Sequence, residues 1–549
     1  MPELLQGIGV SPGLAAGPVM VMGPVPVLPA ARQVTDLEDE IAVAENALKT
    51  VEADLRTRAD GTATGAGREV LQAQAMLASD PVLLDDVIAR IQHGDDALRA
   101  LRNTFDKHRE LLSSVGGHFA ERVADLDDIA HRALAAALGQ PMPGVPAPGH
   151  PFILVADDLS PADTASLDPA VVLALVTERG GPTSHTAILA RSLGLPAVVG
   201  CGGVLAAADS VLATVDGTTG QVRLGVQEDE VAGCRARAIA QLESLAAGRG
   251  PGRTADGHAV DLMLNIGSAA DLTGVDLTDV GGVGLFRTEF LFLDRHEEPG
   301  LDEQVLAYAE VFDAFDHGTV VVRTLDAGAD KPLPFLGLPD EPNPALGMRG
   351  LRVARRRPDI LDTQLRAIAR AAARTRVDVW VMAPMVSTAK EAAEFVERAH
   401  AHGLPTAGVM IEVPAAALLA DRFLRIVDFL SIGTNDLSQY TLAADRQTGD
   451  LADLLDPWQP ALLQLIERCA AAGKASGKPV GVCGEAAADP LLAPVLVGLG
   501  ISKLSMAAPG LPAVRAQLAQ HSLAVCGRLA RRALDSDDAT SARAAARAD

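Results

Sequence analysis

The sequence predicts a multidomain α/β protein: a compact α/β domain interrupted by an inserted helical bundle, followed by a (β/α)8 TIM-type barrel. Three observations predict it. From His258 onward, eight apolar strand-like runs, AVDLMLN, GVGLF, TVVVRTL, VWVMAPM, GVMIE, DFLSIG, PVGVCGE and ISKLSM, are each followed by a helical pattern. That is the repeat a barrel requires, over a span of about 270 residues. Residues 33–139 instead carry apolar positions at helical spacing almost throughout. Between these two regions FILVADD, VVLALVTE, PAVVG and SVLATVDG read as strands alternating with helices. At 549 residues the chain is too long for one hydrophobic core.

In chain order, residues 5–22, including GIGVSPGLAAGPVMV, are short apolar runs broken by Gly and Pro, which suggests strands and turns. Val34, Leu37, Ile41, Ala44, Leu48, Val51 and Leu55 then recur three and four apart, with Thr35 and Glu38 placed as a capping box. This predicts an amphipathic helix of about two dozen residues. Further patterns at 68–78, 82–93, 97–114 and 117–138 complete a small bundle. The Pro/Gly-rich stretch QPMPGVPAPGH, 140–150, marks its end. Because the N-terminal strands lack a sheet of their own, they are expected to complete the α/β domain, giving 1–30 with 145–225, and 31–144 inserted. The polar helical run at 226–246 and the loop GRGPGRTADG form a linker, 226–257, into a barrel at 258–531. The Ala/Arg/Asp-rich tail, 532–549, is expected to be disordered.

A formal charge of −24 argues against nucleic acid or an anionic membrane as partner, so an anionic substrate would need a local arginine cluster. No uncharged run approaches the ~18 residues that span a bilayer, and no secretory leader is evident, which suggests a cytoplasmic protein. Cys201, Cys234, Cys469, Cys483 and Cys526 are odd in number and form no C-x-x-C pair, so neither a disulfide framework nor a zinc site is indicated.

The stretch GGPTSHTAILARSLGLPAVVG places His185 where a glycine-rich turn ends and a helix begins. Ile188, Leu189 and Leu193 supply the apolar stripe and Gly194 the stop. Free backbone N–H groups and the helix dipole there favour an anion over a second cation. A neutral imidazole that accepts a phosphoryl group suits that environment; a histidine that merely caps a surface helix is the alternative.

Active sites of (β/α)8 barrels lie at the C-terminal ends of the strands. Reading those ends in order gives Asn265, Arg287, Arg323, Met385, Glu412, Asn435 with Asp436, Cys483 and Ser505. Arg287 and Arg323 follow consecutive strands, about 5 Å apart, so their guanidinium forks can grip one phosphate or carboxylate, with Arg446 within reach on a later loop. Glu412 and Asp436 end neighbouring strands, the arrangement in which carboxylates hold Mg2+ beside a phosphate. Asn435 can hydrogen-bond a phosphoryl oxygen, and Lys331 in DAGADKPLP is a weaker candidate of the same kind. The Cys483 thiol in GVCGE is either a buried structural group or a proton donor to carbon.

These residues lie within GIGVSPGLAAGP, GGPTSHTAILARSLGLPAVVG, GVGLFRTEFLFLDR, RTLDAGADKPLP, NPALGMRGLR, GVMIEVPAAA, SIGTNDLSQYTLAADR and GVCGEAAAD, and in that order they resemble the phosphoenolpyruvate–protein phosphotransferases, the enzymes I of the bacterial phosphoenolpyruvate:sugar phosphotransferase system. The resemblance spans nearly the whole chain. It implies that His185 is the phosphorylated histidine, in a swivelling domain, and that phosphoenolpyruvate is bound by Arg287, Arg323, Asn435, Asp436 and Arg446. It further implies that Glu412 and Asp436 hold Mg2+ and that Cys483 protonates enolpyruvate. The helical subdomain would dock the carrier protein HPr, and the barrel would form a homodimer. One departure is Gln74 in LQAQAML, where relatives often have a histidine, although Met76 and Leu77 remain as an apolar docking patch.

Pyruvate phosphate dikinase and phosphoenolpyruvate synthase share the phosphohistidine and barrel domains but need a nucleotide-binding domain, for which the helical 31–144 segment leaves no room. A relay paralogue of nitrogen regulation usually has an added sensory domain. A non-catalytic sensor would be expected to have lost at least one of His185, Glu412, Asp436 and Cys483.

Overall fold

The computed structural model describes all residues except 1, 23–25, 27, 31, 33, 62–64, 116–117, 141–142, 147, 160–166, 169, 182–184, 207–209, 248–249, 294, 296, 329–332, 340, 446–450, 452 and 548–549. Within helices it gives backbone alone at 60–61, 65–70, 111–115, 118–125, 185, 188, 191–192 and 241–247. The chain forms two compact units, Met1–Ile239 and Ala240–Asp549.

In the first unit β1 (Glu3–Gln6), β2 (Ile8–Ser11) and β3 (Leu14–Val21) are followed by five helices. These are α1 (Leu37–Gly61), α2 (Gly65–Ala78), α3 (Pro81–Gln92), α4 (Ala97–Val115) and α5 (His118–Ala137). Ala44, Leu48, Val51 and Leu55 of α1 are buried against Leu83, Val87 and Ile91 of α3 and Leu101 of α4. The apolar stripe thus does what its spacing predicts, except that its start, Leu37, is exposed. The cap also differs from the Thr35–Glu38 expectation: Asp36 Oδ1 accepts from the backbone N–H of Glu38 at 2.9 Å and of Asp39 at 3.3 Å. A carboxylate one residue nearer the helix reaches those amides and also faces the positive dipole end.

The chain then forms β4 (Phe152–Ala156), β5 (Val172–Thr177), α6 (His185–Leu193), β6 (Ala197–Val199), β7 (Leu212–Asp216) and β8 (Gln221–Leu224). All eight strands join one mixed sheet in the order β1-β8-β7-β3-β4-β5-β6-β2. β3 pairs parallel to β4 and antiparallel to β7, so the N-terminal strands belong to the same sheet as those that follow the helices. Strand β8, a short hairpin return from β7, was not anticipated because QVRL alternates over too few residues to register as a strand. The helix α7 (Glu228–Ala247) corresponds to the helical part, 226–246, of the expected 226–257 linker.

The second unit is the barrel: β9 (Asp261–Ile266), β10 (Gly282–Arg287), β11 (Thr319–Arg323), β12 (Asp378–Ala383), β13 (Ala407–Ile411), β14 (Leu430–Ile432), β15 (Val480–Val482) and β16 (Lys503–Met506). Each pairs parallel with the next, and β16 closes on β9. All eight runs picked out in the sequence are strands of this barrel. The intervening helices are α8 (Leu301–Asp313), α9 (Pro358–Ala372), α10 (Ala389–Ala401), α11 (Pro414–Leu418), α12 (Ala420–Phe423), α13 (Thr434–Leu442), α14 (Pro460–Ser476), α15 (Leu492–Leu499) and α16 (Leu511–Gln520).

The expected disordered tail is not observed. Residues Leu523–Leu534 form α17 and Ala539–Ala546 form α18. The Asp538 carboxylate caps α18 by accepting from the Ser541 N–H at 2.7 Å, and Ala539 and Ala542 are buried in the core of the barrel unit. Arg543 Nη2 reaches both Asp456 oxygens at 3.1 Å. Alanines, which carry little hydrophobic signal, allow close helix approach, so a composition that reads as disorder packs well here.

Candidate functional site

The site is built from the C-terminal ends of the barrel strands. Parallel pairing places Arg287 at the end of β10 directly opposite Arg323 at the end of β11. The Arg323 guanidinium is buried and held by three carboxylates: Glu289 Oε1 at 3.0 Å, Asp326 Oδ2 at 3.2 Å and Glu412 Oε1 at 3.8 Å. Burial alone would lower its pKa, but these charges outweigh it and raise the pKa. Arg323 is therefore a permanent cation with a fixed orientation.

Glu412 follows β13, and its Oε2 accepts the backbone N–H of Met385 at 2.8 Å. Met385 has φ 57°, the left-handed region unfavourable to a side-chain-bearing residue. Such strain is tolerated where surrounding structure enforces it, and here it aims an amide at the carboxylate. Asp436 lies in the first turn of α13, directly after β14. The short β14–α13 connection also packs against β15: a Cβ on Gly484 would collide with the Thr434 hydroxyl, so only glycine lets the two strand ends approach.

Carboxylate oxygens of Asp326, Glu412 and Asp436 all lie within 4.8 Å of one another, and all three residues are buried. Burial first, then the charges of Asp326 and Asp436, push the Glu412 pKa up to about 8, against the opposing pull of Arg323 and Arg349. Arg349 is fully buried, with Nη2 3.3 Å from Asp326 and Nη1 3.4 Å from Asp436. Four buried carboxylates, counting Glu289, thus face two buried guanidinium groups. Hard oxygen donors in this excess suit a hard divalent cation, which would compensate the charge that a proton on Glu412 otherwise relieves.

Asn435 Oδ1 accepts the Glu485 N–H at 3.2 Å, which fixes its amide beside the mouth. Cys483 is buried, its Sγ donating to the Ile432 carbonyl at 3.5 Å, and burial pushes its thiol up to about 11. It remains a protonated thiol at neutral pH. Asn265 donates to the carbonyls of Cys483 and Ser505 at 2.9 and 3.1 Å and accepts from the Ser505 hydroxyl at 2.6 Å, which pins the β15 and β16 ends. These strand-end residues are structural supports. Lys331 and Arg446 lie outside the described residues.

In the first unit His185 is the first residue of α6, and the expected turn at 182–184 lies outside the described residues, as does the His185 side chain. The neighbouring Thr186 hydroxyl donates to Asp158 at 3.0 Å, and Ala187 and Ala190 are buried, so the helix is anchored on one side. Gln74 of α2 is buried, whereas Met76 is 71% exposed. Position 74 therefore belongs to the bundle interior, and Met76 to its surface.

The PEP-utilising enzyme family matches the chain in three parts: the PEP-binding domain at residues 242–523, the mobile domain at 148–220 and the N-terminal domain at 6–122. A phosphoenolpyruvate-protein phosphotransferase of Streptomyces coelicolor is 52% identical over all of this chain and 99% of its own length. One of Haloferax volcanii is 41% identical over 97% of both chains, and one of Staphylococcus carnosus 36% over 92% of both. The chain belongs to the phosphoenolpyruvate-protein phosphotransferase family. Phosphoenolpyruvate-dependent phosphotransfer is that family's activity. No helix among the described residues of this phosphotransferase is long and apolar enough to cross a membrane.

Glu289, Asp326 and Arg349 of the phosphotransferase mouth were missed as site residues. Glu289 and Asp326 stand only two and three positions beyond Arg287 and Arg323, in RTEF and RTLDAG, and that proximity was the available signal. Arg349 stands well beyond the end of β11, in a loop with no periodic pattern to place it.

Proposed function

We propose that this chain transfers the phosphoryl group of phosphoenolpyruvate to His185 and then to a histidine of the carrier HPr, releasing pyruvate. The observation that carries the reading is the convergence of Arg287, Arg323, Glu412, Asp436 and Cys483 on one barrel mouth, beside a family relationship that covers the whole chain. Arg287 and Arg323, with Arg446, neutralise the carboxylate and phosphate of the substrate, and Asn435 hydrogen-bonds a phosphoryl oxygen. Glu412 and Asp436, together with Asp326, hold Mg2+, which when bound withdraws charge from the phosphoryl oxygens. His185 in its neutral form attacks phosphorus through Nε2, and the enolate of pyruvate leaves. Cys483 gives its thiol proton to C3 of that enolate, completing pyruvate. The exposed Met76 and half-buried Leu77 form part of the face for HPr. The enzyme works in the cytoplasm as a homodimer through the barrel.

A dikinase-type reaction has less support. Helices α1–α5 occupy the segment between β3 and β4, and a glycine-rich nucleotide loop is absent from their sequence. Incubation with phosphoenolpyruvate labelled in the phosphoryl group and Mg2+, with and without HPr, tests the proposal. Label should enter the chain without ATP and pass to HPr; a requirement for ATP, or no labelling, would overturn it.

A further inference from the structure

The barrel contains a second opening at the end remote from the mouth. It runs from the N-terminal ends of β14, β15 and β16, at Phe429, Lys503 and the Trp380 ring, inward to Ser431, Gly284 and Ser505. Its room for water centres is about 20 Å³, above the ~10–15 Å³ one water requires. That room depends on Gly284, because a Cβ there would stand 2.5 Å from the Ser505 Cβ. At the rim Lys503 pairs with Asp261 at 3.0 Å and lies 5.0 Å from the centre of the Trp380 ring. The Asp261 side chain is 54% exposed, so the rim is in contact with solvent.

Ser431 borders this cavity and its side chain also hydrogen-bonds the Cys483 thiol. The thiol belongs to an apolar cluster with Leu285, Val321, Met382, Met410 and Phe429, donates to the Ile432 carbonyl, and feels the charges of Arg323, Glu412 and Arg287 at the mouth. When substrate and a phosphoryl-accepting histidine fill the mouth, water has no room to reach sulfur from that side. We propose that Ser431 returns the proton to Cys483 from water in the floor cavity, so that the acid is reloaded through the end of the barrel opposite to the chemistry.

This rests on the reading of Cys483 as the proton donor. In the catalytic step the S–H bond breaks, a C–H bond forms at C3 and a thiolate remains. In the reloading step the Ser431 O–H bond breaks as a new S–H bond forms, and the serine oxygen takes a proton from the cavity water. The hydroxide left behind is neutralised by solvent or a buffer acid at the rim, and no redox change occurs. Ser431 thus acts through Cys483, as a positioning and relay residue.

Two measurements on the full-length protein with Mg2+ test the relay: pyruvate formed in the first turnover from phosphoenolpyruvate, and loss of tritium to water from methyl-tritiated pyruvate. Tritium loss requires the proton on sulfur to exchange with solvent, whereas the first turnover uses a proton already in place. Ser431→Ala should slow tritium loss by roughly 10²-fold, the low end for a positioned proton-transfer group, and slow the first turnover far less. Ser431→Thr, which keeps the hydroxyl, should restore the exchange. Equal slowing of both measurements would make Ser431 a packing residue only, and exchange at the wild-type rate in Ser431→Ala would remove the relay. Cys483→Ala serves as the separate control: if it leaves both measurements unchanged, the underlying proton-donor reading fails, whatever Ser431 does.

Discussion

Arg349 bridges two carboxylates of the barrel mouth that lie on different strand-end loops, reaching Asp326 at 3.3 Å and Asp436 at 3.4 Å with the two nitrogens of one buried guanidinium. Without it, Arg323 would be the one buried guanidinium among the four buried carboxylates described above. Arg349→Gln should therefore cost about 3–5 kcal/mol of stability in metal-free protein, the cost of breaking a buried charge network from one side. Saturating Mg2+ should recover part of that loss by replacing the missing positive charge. Denaturant unfolding with and without Mg2+ measures both effects, and a variant as stable as wild type would show that the bridge has no energetic weight.

His185→Ala should abolish labelling by phosphoenolpyruvate while leaving the first unit folded. Thr186, Ala187 and Ala190 anchor α6 without the imidazole. The wild-type label should be lost in acid and survive base, as a phosphoramidate does. Normal labelling of the alanine variant, or an acid-stable label, would exclude His185 as acceptor.

Glu412→Ala and Asp436→Ala should each make labelling insensitive to added Mg2+, and Asp326→Asn should weaken the response. In metal-free protein the Glu412 carboxyl, with its pKa raised to about 8, carries a proton at neutral pH. Metal binding must release that proton. Affinity for Mg2+ should therefore rise with pH, by up to about tenfold per unit for one proton, and level off above the pKa of Glu412. Calorimetric titration across this range checks the slope. A flat profile would place the metal away from Glu412.

Cys483→Ala should lower pyruvate release by roughly 10²- to 10⁴-fold, the usual contribution of a general acid, while affinity for phosphoenolpyruvate persists. Because burial raises the thiol to about 11, Cys483 stays protonated well above neutral pH. The first-turnover rate of the wild type should accordingly show no loss from thiol ionisation between about pH 7 and about pH 9, where an unperturbed thiol with a pKa near 8.5 would titrate. Rapid-quench measurement of pyruvate gives both results. Release at the wild-type rate from the alanine variant would leave Cys483 as a buried hydrophobe.

Asp538→Ala should destabilise the barrel unit slightly through loss of the α18 cap. Deletion of residues 536–549 should cost more, since it also uncovers the surface that Ala539 and Ala542 bury. Thermal unfolding distinguishes a packed helix from a dispensable tail, for which neither change would shift the midpoint.

The strand-and-helix order of the barrel was legible in the sequence because each of its eight strands is a short apolar run closed by a turn, and every run picked out became a strand. That order also identifies the residues at the strand ends, since a parallel barrel sends all C-terminal ends to one mouth; Arg287, Arg323, Glu412, Asp436 and Cys483 were found in this way. The motif order was enough to suggest the family. Only the tertiary structure decided which charges meet. Glu289, Asp326 and Arg349 lie on loops beyond β10 and β11, where the path of the chain follows packing and carries no periodic signal. The same is true of the tail, whose alanines are silent until a partner surface is present, and of the Cys483 environment, where burial sets the thiol and Ser431 lies between it and the floor cavity. Periodicity records which face of an element is apolar; the dielectric and the charge around a single side chain depend on atoms distant in sequence, and these are fixed only when the elements pack.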